Sequence, residues 1–209
     1  MIAIIDYKAG NLTSVQRALE KLNIDCVVSR DADVIRSADR VIFPGVGAAA
    51  AAMESLTELD LGKILHEVLD AGTPVLGICL GTQIIMEHSE EDGGVDTLGL
   101  VKGKTVKFKF PEGESLTVPE MGWNQVNFDT SHPVFKNIES GANFYFVHSY
   151  FPEPASASSI LSTTEYGSVT FCSAITQGNL VATQFHPEKS GRHGLDLLKN
   201  FSEWDGKDA

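Results

Sequence analysis

The stretch Pro74-Val75-Leu76-Gly77-Ile78-Cys79-Leu80-Gly81-Thr82-Gln83 constrains this chain more than any other. It starts as a short apolar run bounded by Gly72-Thr73-Pro74, the pattern of a buried strand. It breaks at Cys79 and resumes with Leu80, Ile84, Ile85 and Met86 at helical spacing. Gly77 and Gly81 flank the cysteine two residues away on each side, and only residues without a Cβ let backbone crowd so tight a turn. The pattern is that of a strand-to-helix elbow with a thiol at its crest. Unpaired N–H groups at a helix start favour the thiolate, the form that attacks carbonyl carbon. The alternative for Cys79 is an inert buried cysteine.

The residues before this elbow read as its scaffold. Residues 2–6 are strand-like, Leu12, Val15, Leu19 and Leu22 form a helical stripe, and Cys26-Val27-Val28 is a second strand. Asp31 is placed to cap a short helix with Val34 and Ile35 inward. Arg40-Val41-Ile42-Phe43 makes a third strand ending in Pro44-Gly45-Val46-Gly47, and a helix is expected over about 60–71. Alternating strands and helices predict an α/β fold, a three-layer open sheet that is mostly parallel. Ligands of such sheets bind outside the carboxyl ends of the strands, where Asp6, Gly45 and Cys79 fall.

Past Gly93-Gly94 the pattern changes. Val106, Phe108 and Phe110 alternate with lysines, as in a half-exposed strand, and further strands are expected near 125–128, 144–147, 160–164, 168–176 and 180–185. Gln177-Gly178-Asn179 closes a hairpin between the last two, and a helix over about 191–204 follows. The second half is therefore expected to add antiparallel strands. No linker separates the halves, so residues 1–209 are read as a single domain.

Sixteen basic against 28 acidic residues give a formal charge of −12, which makes nucleic acid and anionic membranes poor partners. No apolar run reaches the length of a membrane span and no basic region precedes residues 2–6, so neither span nor signal peptide is expected. Cys26, Cys79 and Cys172 are odd in number and lack C-x-x-C spacing, which fits a reducing cytoplasm better than a disulfide framework or zinc site. Cys26 and Cys172 lie in apolar runs and read as packing residues.

A cysteine nucleophile needs a base, and the base needs an orienting group. His186 heads His186-Pro187-Glu188 directly after an apolar strand. In an extended segment residues two apart share a side, so Glu188 can reach the imidazole and fix its tautomer; alone, the tripeptide could equally be a surface turn. His66 and His88 are expected on helices, His132 and His193 in loops, and His148 in a strand, either near a site or as a packing residue. An oxyanion formed at the elbow would find the N–H of Leu80, with a second donor in the turn at Val46 and Gly47. Gln83 lies one helical turn beyond Cys79 on the same face, facing either substrate or solvent.

Gly77-Ile78-Cys79-Leu80-Gly81-Thr82-Gln83, with His186-Pro187-Glu188 near the C-terminal end, closely resembles the class I (triad) glutamine amidotransferases. Segments 5–12, 44–47 and 121–124, with Tyr145-Phe146-Val147-His148-Ser149-Tyr150, narrow the resemblance to the branch serving histidine biosynthesis. Lys8 stands where that branch more often has a small residue. The resemblance implies that Cys79 attacks the side-chain amide of L-glutamine, that His186 is acid and base, and that Glu188 orients it. It further implies substrate contacts at Gly47, Gln83, Glu91, Ser149 and Tyr150, the last two through backbone. Met121, Gly122, Trp123 and Asn124 would then form the interface with a separate (β/α)₈-barrel cyclase subunit, in a heterodimer that receives the ammonia. No cofactor or metal is expected. The rival readings are another amidotransferase subunit, such as the anthranilate or pyridoxal phosphate synthase glutaminase, and a catalytically silent binding module.

Overall fold

Ile2 and Ile4 on the first strand pack to one side of the sheet and Ala3 and Ile5 to the other, and this two-residue alternation divides the interior into two cores. The computed structural model describes residues 1–8, 10–128 and 131–207; Ala9, within the 5–12 segment, lies outside them. The first half holds β1 (Ile2–Ile5), α1 (Leu12–Lys21), β2 (Cys26–Ser29), α2 (Ala32–Arg36), β3 (Arg40–Gly45), α3 (Ala49–Glu58), α4 (Leu61–Asp70), β4 (Val75–Cys79) and α5 (Leu80–Ile84). Small strands β5 (His88–Ser89), β6 (Val95–Asp96) and β7 (Gly103–Lys107) follow, then β8 (Glu120–Val126), β9 (Ala142–His148) and β10 (Tyr150–Pro154). The chain continues with β11 (Ile160–Tyr166), β12 (Val169–Gln177), β13 (Leu180–Thr183) and α6 (Gly191–Glu203).

Seven strands make the central sheet in the order β11-β12-β13-β4-β3-β1-β2. From β13 to β2 every pairing is parallel, and β12 pairs antiparallel with both β13 and the edge strand β11. One core joins Ile4, Ile42, Leu76 and Ile78 to Val15 and Leu19 of α1 and to Leu197, Leu198 and Phe201 of α6. The other joins Ile5, Val41 and Phe43 to Ile35, Leu56, Ile64, Leu65 and Ile84, from helices α2 to α5. These are the three layers expected, and each fully buried Ile, Leu or Phe contributes about 1.5–3 kcal/mol. A second sheet, β10-β7-β5-β6, and the ribbon β8-β9 stand beside the carboxyl end of the central sheet's elbow strand.

Asp31 caps α2 as anticipated, accepting from the N–H groups of Asp33 and Val34; Ile35 is buried and Val34 only half so. Several elements differ from the sequence reading. Two helices rather than one separate β3 from β4. The extra one, α3, buries Ala49, Ala52 and Leu56, and its run of alanines gives no contrast between faces. His88 lies in a strand because α5 stops at Ile84, and His193 lies within α6. The strand expected near 125–128 instead begins at Glu120 and takes in residues 121–124, with Met121 and Trp123 pointing outward, 64% and 57% exposed.

Candidate functional site

The bend between β4 and α5 is made at Cys79, whose φ of 54° and ψ of −105° place a non-glycine residue in strained backbone. Packing enforces the bend. A Cβ on Gly81 would stand 2.1 Å from the Phe43 carbonyl oxygen, and one on Gly77 would stand 2.9 Å from the Ala182 Cβ. The strands on either side of β4 therefore close over the turn and hold the thiol at the sheet's carboxyl edge, in register with Gly45 of β3.

His186 follows β13, the other neighbour of β4. Its N–H donates to the Tyr145 carbonyl (2.9 Å), and its own carbonyl accepts from Ser190 Oγ (2.6 Å). Its Nδ1–H donates to Glu188 Oε1 at 2.7 Å, and both side chains are wholly buried. The approach differs from the extended one anticipated. Pro187–Lys189 forms a single 3₁₀ turn, and that turn swings Glu188 back onto the ring. Asn11, in left-handed backbone at the start of α1, donates its Nδ2 to the same Glu188 oxygen at 2.5 Å. This third contact spans 177 positions in sequence and escaped the sequence reading.

The Nε2 of His186 faces the Cys79 sulfur without forming a directed hydrogen bond among the described residues. Burial alone would depress the imidazole's basicity. Negative charge on the Cys79 sulfur and at Glu188 outweighs it and lifts His186 to about 10. Gln184 Nε2 also approaches the sulfur, at 3.8 Å. The arrangement is a sulfur, an imidazole that carries a proton on both nitrogens near neutrality, and a carboxylate that holds the proton on Nδ1.

Cys79 opens onto a cleft of about 270 Å³ lined by Val46, Gly47, Leu80, Gln83, Glu91, Ser149 and Tyr150, with Pro119, Val147 and His148. Every residue named from the sequence as a substrate or oxyanion contact thus lies on one cleft. Several already have partners. Gln83 Nε2 donates to the Tyr150 carbonyl (2.8 Å) and to Gln184 Oε1 (3.2 Å), and the Ser149 carbonyl accepts from Phe108 N–H (3.1 Å). Glu91 accepts from the N–H of Ala49 at the start of α3 (2.7 Å); burial raises its carboxyl, and that bond partly offsets the rise. Met121 and Trp123 do not join the cleft. They stand on the outer side of the β8–β9 ribbon, with Trp123 edge-on to Tyr145 at 6.1 Å. Asn124 turns inward to Glu120 and to the Glu165 carbonyl. Among the described residues no group of His, Cys, Asp and Glu is arranged to hold a metal ion.

The sequence pattern of the class-I glutamine amidotransferases matches residues 3–204. The chain is 50% identical to the imidazole glycerol phosphate synthase subunit HisH of Desulfovibrio desulfuricans, over 98% of this chain and 94% of that protein. It is 47% identical to the protein of the same description from Acinetobacter baylyi, over 97% and 98%. Among solved structures it is similar to a glutamine amidotransferase, with a TM-score of 0.74, 16% identity and coverage of 98% of both chains. At that identity the likeness concerns the fold.

Proposed function

This chain belongs to the class I glutamine amidotransferase family, and from that premise we propose that Cys79, His186 and Glu188 release ammonia from L-glutamine for a separate cyclase. The Cys79 sulfur attacks the side-chain amide carbon, and the negative charge moves to the amide oxygen. N–H groups of Leu80 and of the Val46–Gly47 turn are the donors for that oxygen; one such donor is commonly worth about 10²- to 10³-fold in rate. Collapse of the adduct expels the nitrogen, which takes the His186 Nε2 proton and leaves as ammonia. Water then attacks the glutamyl thioester while His186, now neutral, takes its proton. Glutamate departs and the sulfur is restored. Glu188 keeps Nδ1 protonated throughout, and Asn11 steadies Glu188.

The observation that carries this reading is the joint position of His186 and Cys79: one imidazole nitrogen bound to a buried carboxylate, the other set against the sulfur. Gly47, Gln83, Glu91, Ser149 and Tyr150 give the cleft both hydrogen-bonding and charged groups for the amino acid. Both halves of the chain build this cleft, which supports reading residues 1–209 as one domain.

The relatives described as imidazole glycerol phosphate synthase subunits supply the acceptor. The partner is then the (β/α)₈-barrel cyclase subunit of that synthase, docked on Met121, Gly122, Trp123 and Asn124 in a heterodimer. It combines ammonia with a phosphoribulosyl-formimino aminoimidazole carboxamide nucleotide, giving imidazole glycerol phosphate and an aminoimidazole carboxamide ribotide in histidine biosynthesis. A reducing cytoplasm suits three unpaired thiols, and no helix is long and apolar enough to cross a membrane among the described residues.

Reconstitution with the cyclase tests the assignment. Cys79→Ser should abolish synthesis from glutamine yet leave synthesis from ammonium salts at alkaline pH intact. Failure of ammonia to bypass the lesion in an intact complex would place Cys79 in the synthase step instead.

A further inference from the structure

One buried acid and one buried base take no part in the chemistry above. Glu120 opens β8, His148 closes β9, and the ribbon register sets them directly opposite one another. Their side chains are 4% and 1% exposed, and Glu120 Oε2 stands 3.1 Å from His148 Nε2, close but not aligned as a directed hydrogen bond. Phe108, Phe146 and Phe171 surround the imidazole, their ring centres 5.2–5.6 Å away. In such a cage a polar atom left without a partner is costly.

The His148 end of the pair reaches the cleft. His148 Nδ1 is 2.8 Å from the Tyr150 carbonyl oxygen, and because a carbonyl only accepts, Nδ1 carries the hydrogen. Nε2 is thereby turned toward Glu120 Oε2, and the ring cannot turn without losing Tyr150. The same Tyr150 oxygen receives the Gln83 amide (2.8 Å), and Glu120 Oε1 accepts from Asn124 Nδ2 (2.7 Å). Gln83, His148, Ser149 and Tyr150 all line the cleft beside Cys79.

We propose that Glu120 and His148 are positioning residues for glutamine: the pair holds the Tyr150 carbonyl, and through it the Gln83 amide and the Ser149–Tyr150 wall, in the geometry that binds the substrate. The inference rests on the reading of this cleft as the glutamine site. No contact of the pair itself involves Cys79, His186 or Glu188 among the described residues, so its loss falls on ground-state binding rather than on the chemical step. A pair that served stability alone would lower the unfolding temperature and leave KM unchanged.

The test compares Glu120→Leu, which fills the space without a hydrogen-bonding group, with Glu120→Gln, whose amide can donate to a neutral imidazole while its oxygen still accepts from Asn124. Glutamine hydrolysis is measured on the full chain with its cyclase partner, beside the rate at which iodoacetamide alkylates Cys79. Glu120→Leu should raise KM for glutamine about tenfold with kcat within about twofold and alkylation unchanged, and Glu120→Gln should return KM to within about twofold of the original. A folded Leu variant with an unaltered KM, or a folded Gln variant that fails to rescue, overturns the proposal. Should Glu120→Leu not fold, His148→Gln is read in its place. Its shorter amide spans Tyr150 or Glu120 but not both, so the same rise in KM is expected, and an unaltered KM overturns the proposal. If the unsubstituted chain with its partner releases no glutamate, the glutamine reading itself fails and this inference with it.

Discussion

Cys79 and Cys172 lie in the same sheet, on strands β4 and β12 with only β13 between them, and each is 6% exposed. Their surroundings differ. Cys172 sits within a regular strand, its thiol donating to the Ala174 carbonyl at 3.2 Å, and burial pushes it up to about 12. Cys79 sits where the chain bends from strand to helix, facing an imidazole and a side-chain amide. Exposure thus does not distinguish the two thiols. The charge and the donors set against each sulfur do.

The largest effect expected from this contrast is on turnover. Cys79→Ala should lower glutaminase activity by about 10³-fold or more, since the attacking sulfur is removed. Cys172→Ala should leave kcat and KM within about twofold and cost about 1 kcal/mol of stability, a common toll for a buried substitution. A large activity loss in folded Cys172→Ala would erase the contrast.

Next in size come His186, which faces Cys79, and the two groups behind it, none of which has a counterpart at Cys172. His186→Ala should lose about 10²- to 10⁴-fold, the worth of a positioned acid–base group, with a smaller loss for Glu188→Ala and a smaller one again for Asn11→Ala. Steady-state kinetics would show this order, and an Asn11 variant worse than the Glu188 variant would contradict it.

The outward ribbon sets a third scale. Trp123→Ala should weaken cyclase binding by about 30-fold, or about 2 kcal/mol, while the exposed position leaves the isolated chain's unfolding temperature unchanged. Calorimetric titration and thermal melts separate the two.

A smaller effect concerns the proton on His186. Because negative charge at Cys79 is the foremost cause that raises its basicity, Cys79→Ala should move the His186 titration seen by NMR to lower pH. The sign for stability follows from the raised value. The charged imidazole stabilises the fold fully below about 6.5, the ordinary histidine value, and that contribution fades as pH rises through about 10. The stability gap between the unsubstituted chain and His186→Gln should therefore narrow as pH climbs across that window.

Much of the candidate site's geometry has local causes in the sequence. The elbow is marked by Gly77 and Gly81 around one thiol within a single strand and turn. His186 and Glu188 are two residues apart, so their pairing needs only a local bend of the chain, although a 3₁₀ turn rather than a strand provides it. Other parts were hidden because nothing local encodes them. Helix α3 starts in a run of alanines that shows no periodicity. Strand β8 places Met121 and Trp123 outward, inverting the usual sense of a strand's apolar face. Asn11 meets Glu188, and Glu120 meets His148, only through the tertiary fold and the ribbon register.

The central claim is that the surroundings of Cys79 alone make a reactive thiol of one buried cysteine among three. Peptide mapping after brief treatment with a glutamine-shaped electrophile tests it most directly, with and without excess glutamine. The label is expected on Cys79 first, well ahead of Cys26 and Cys172, and glutamine should suppress it. Label arriving first on Cys172 or Cys26, or label on Cys79 that glutamine fails to suppress, would contradict the account.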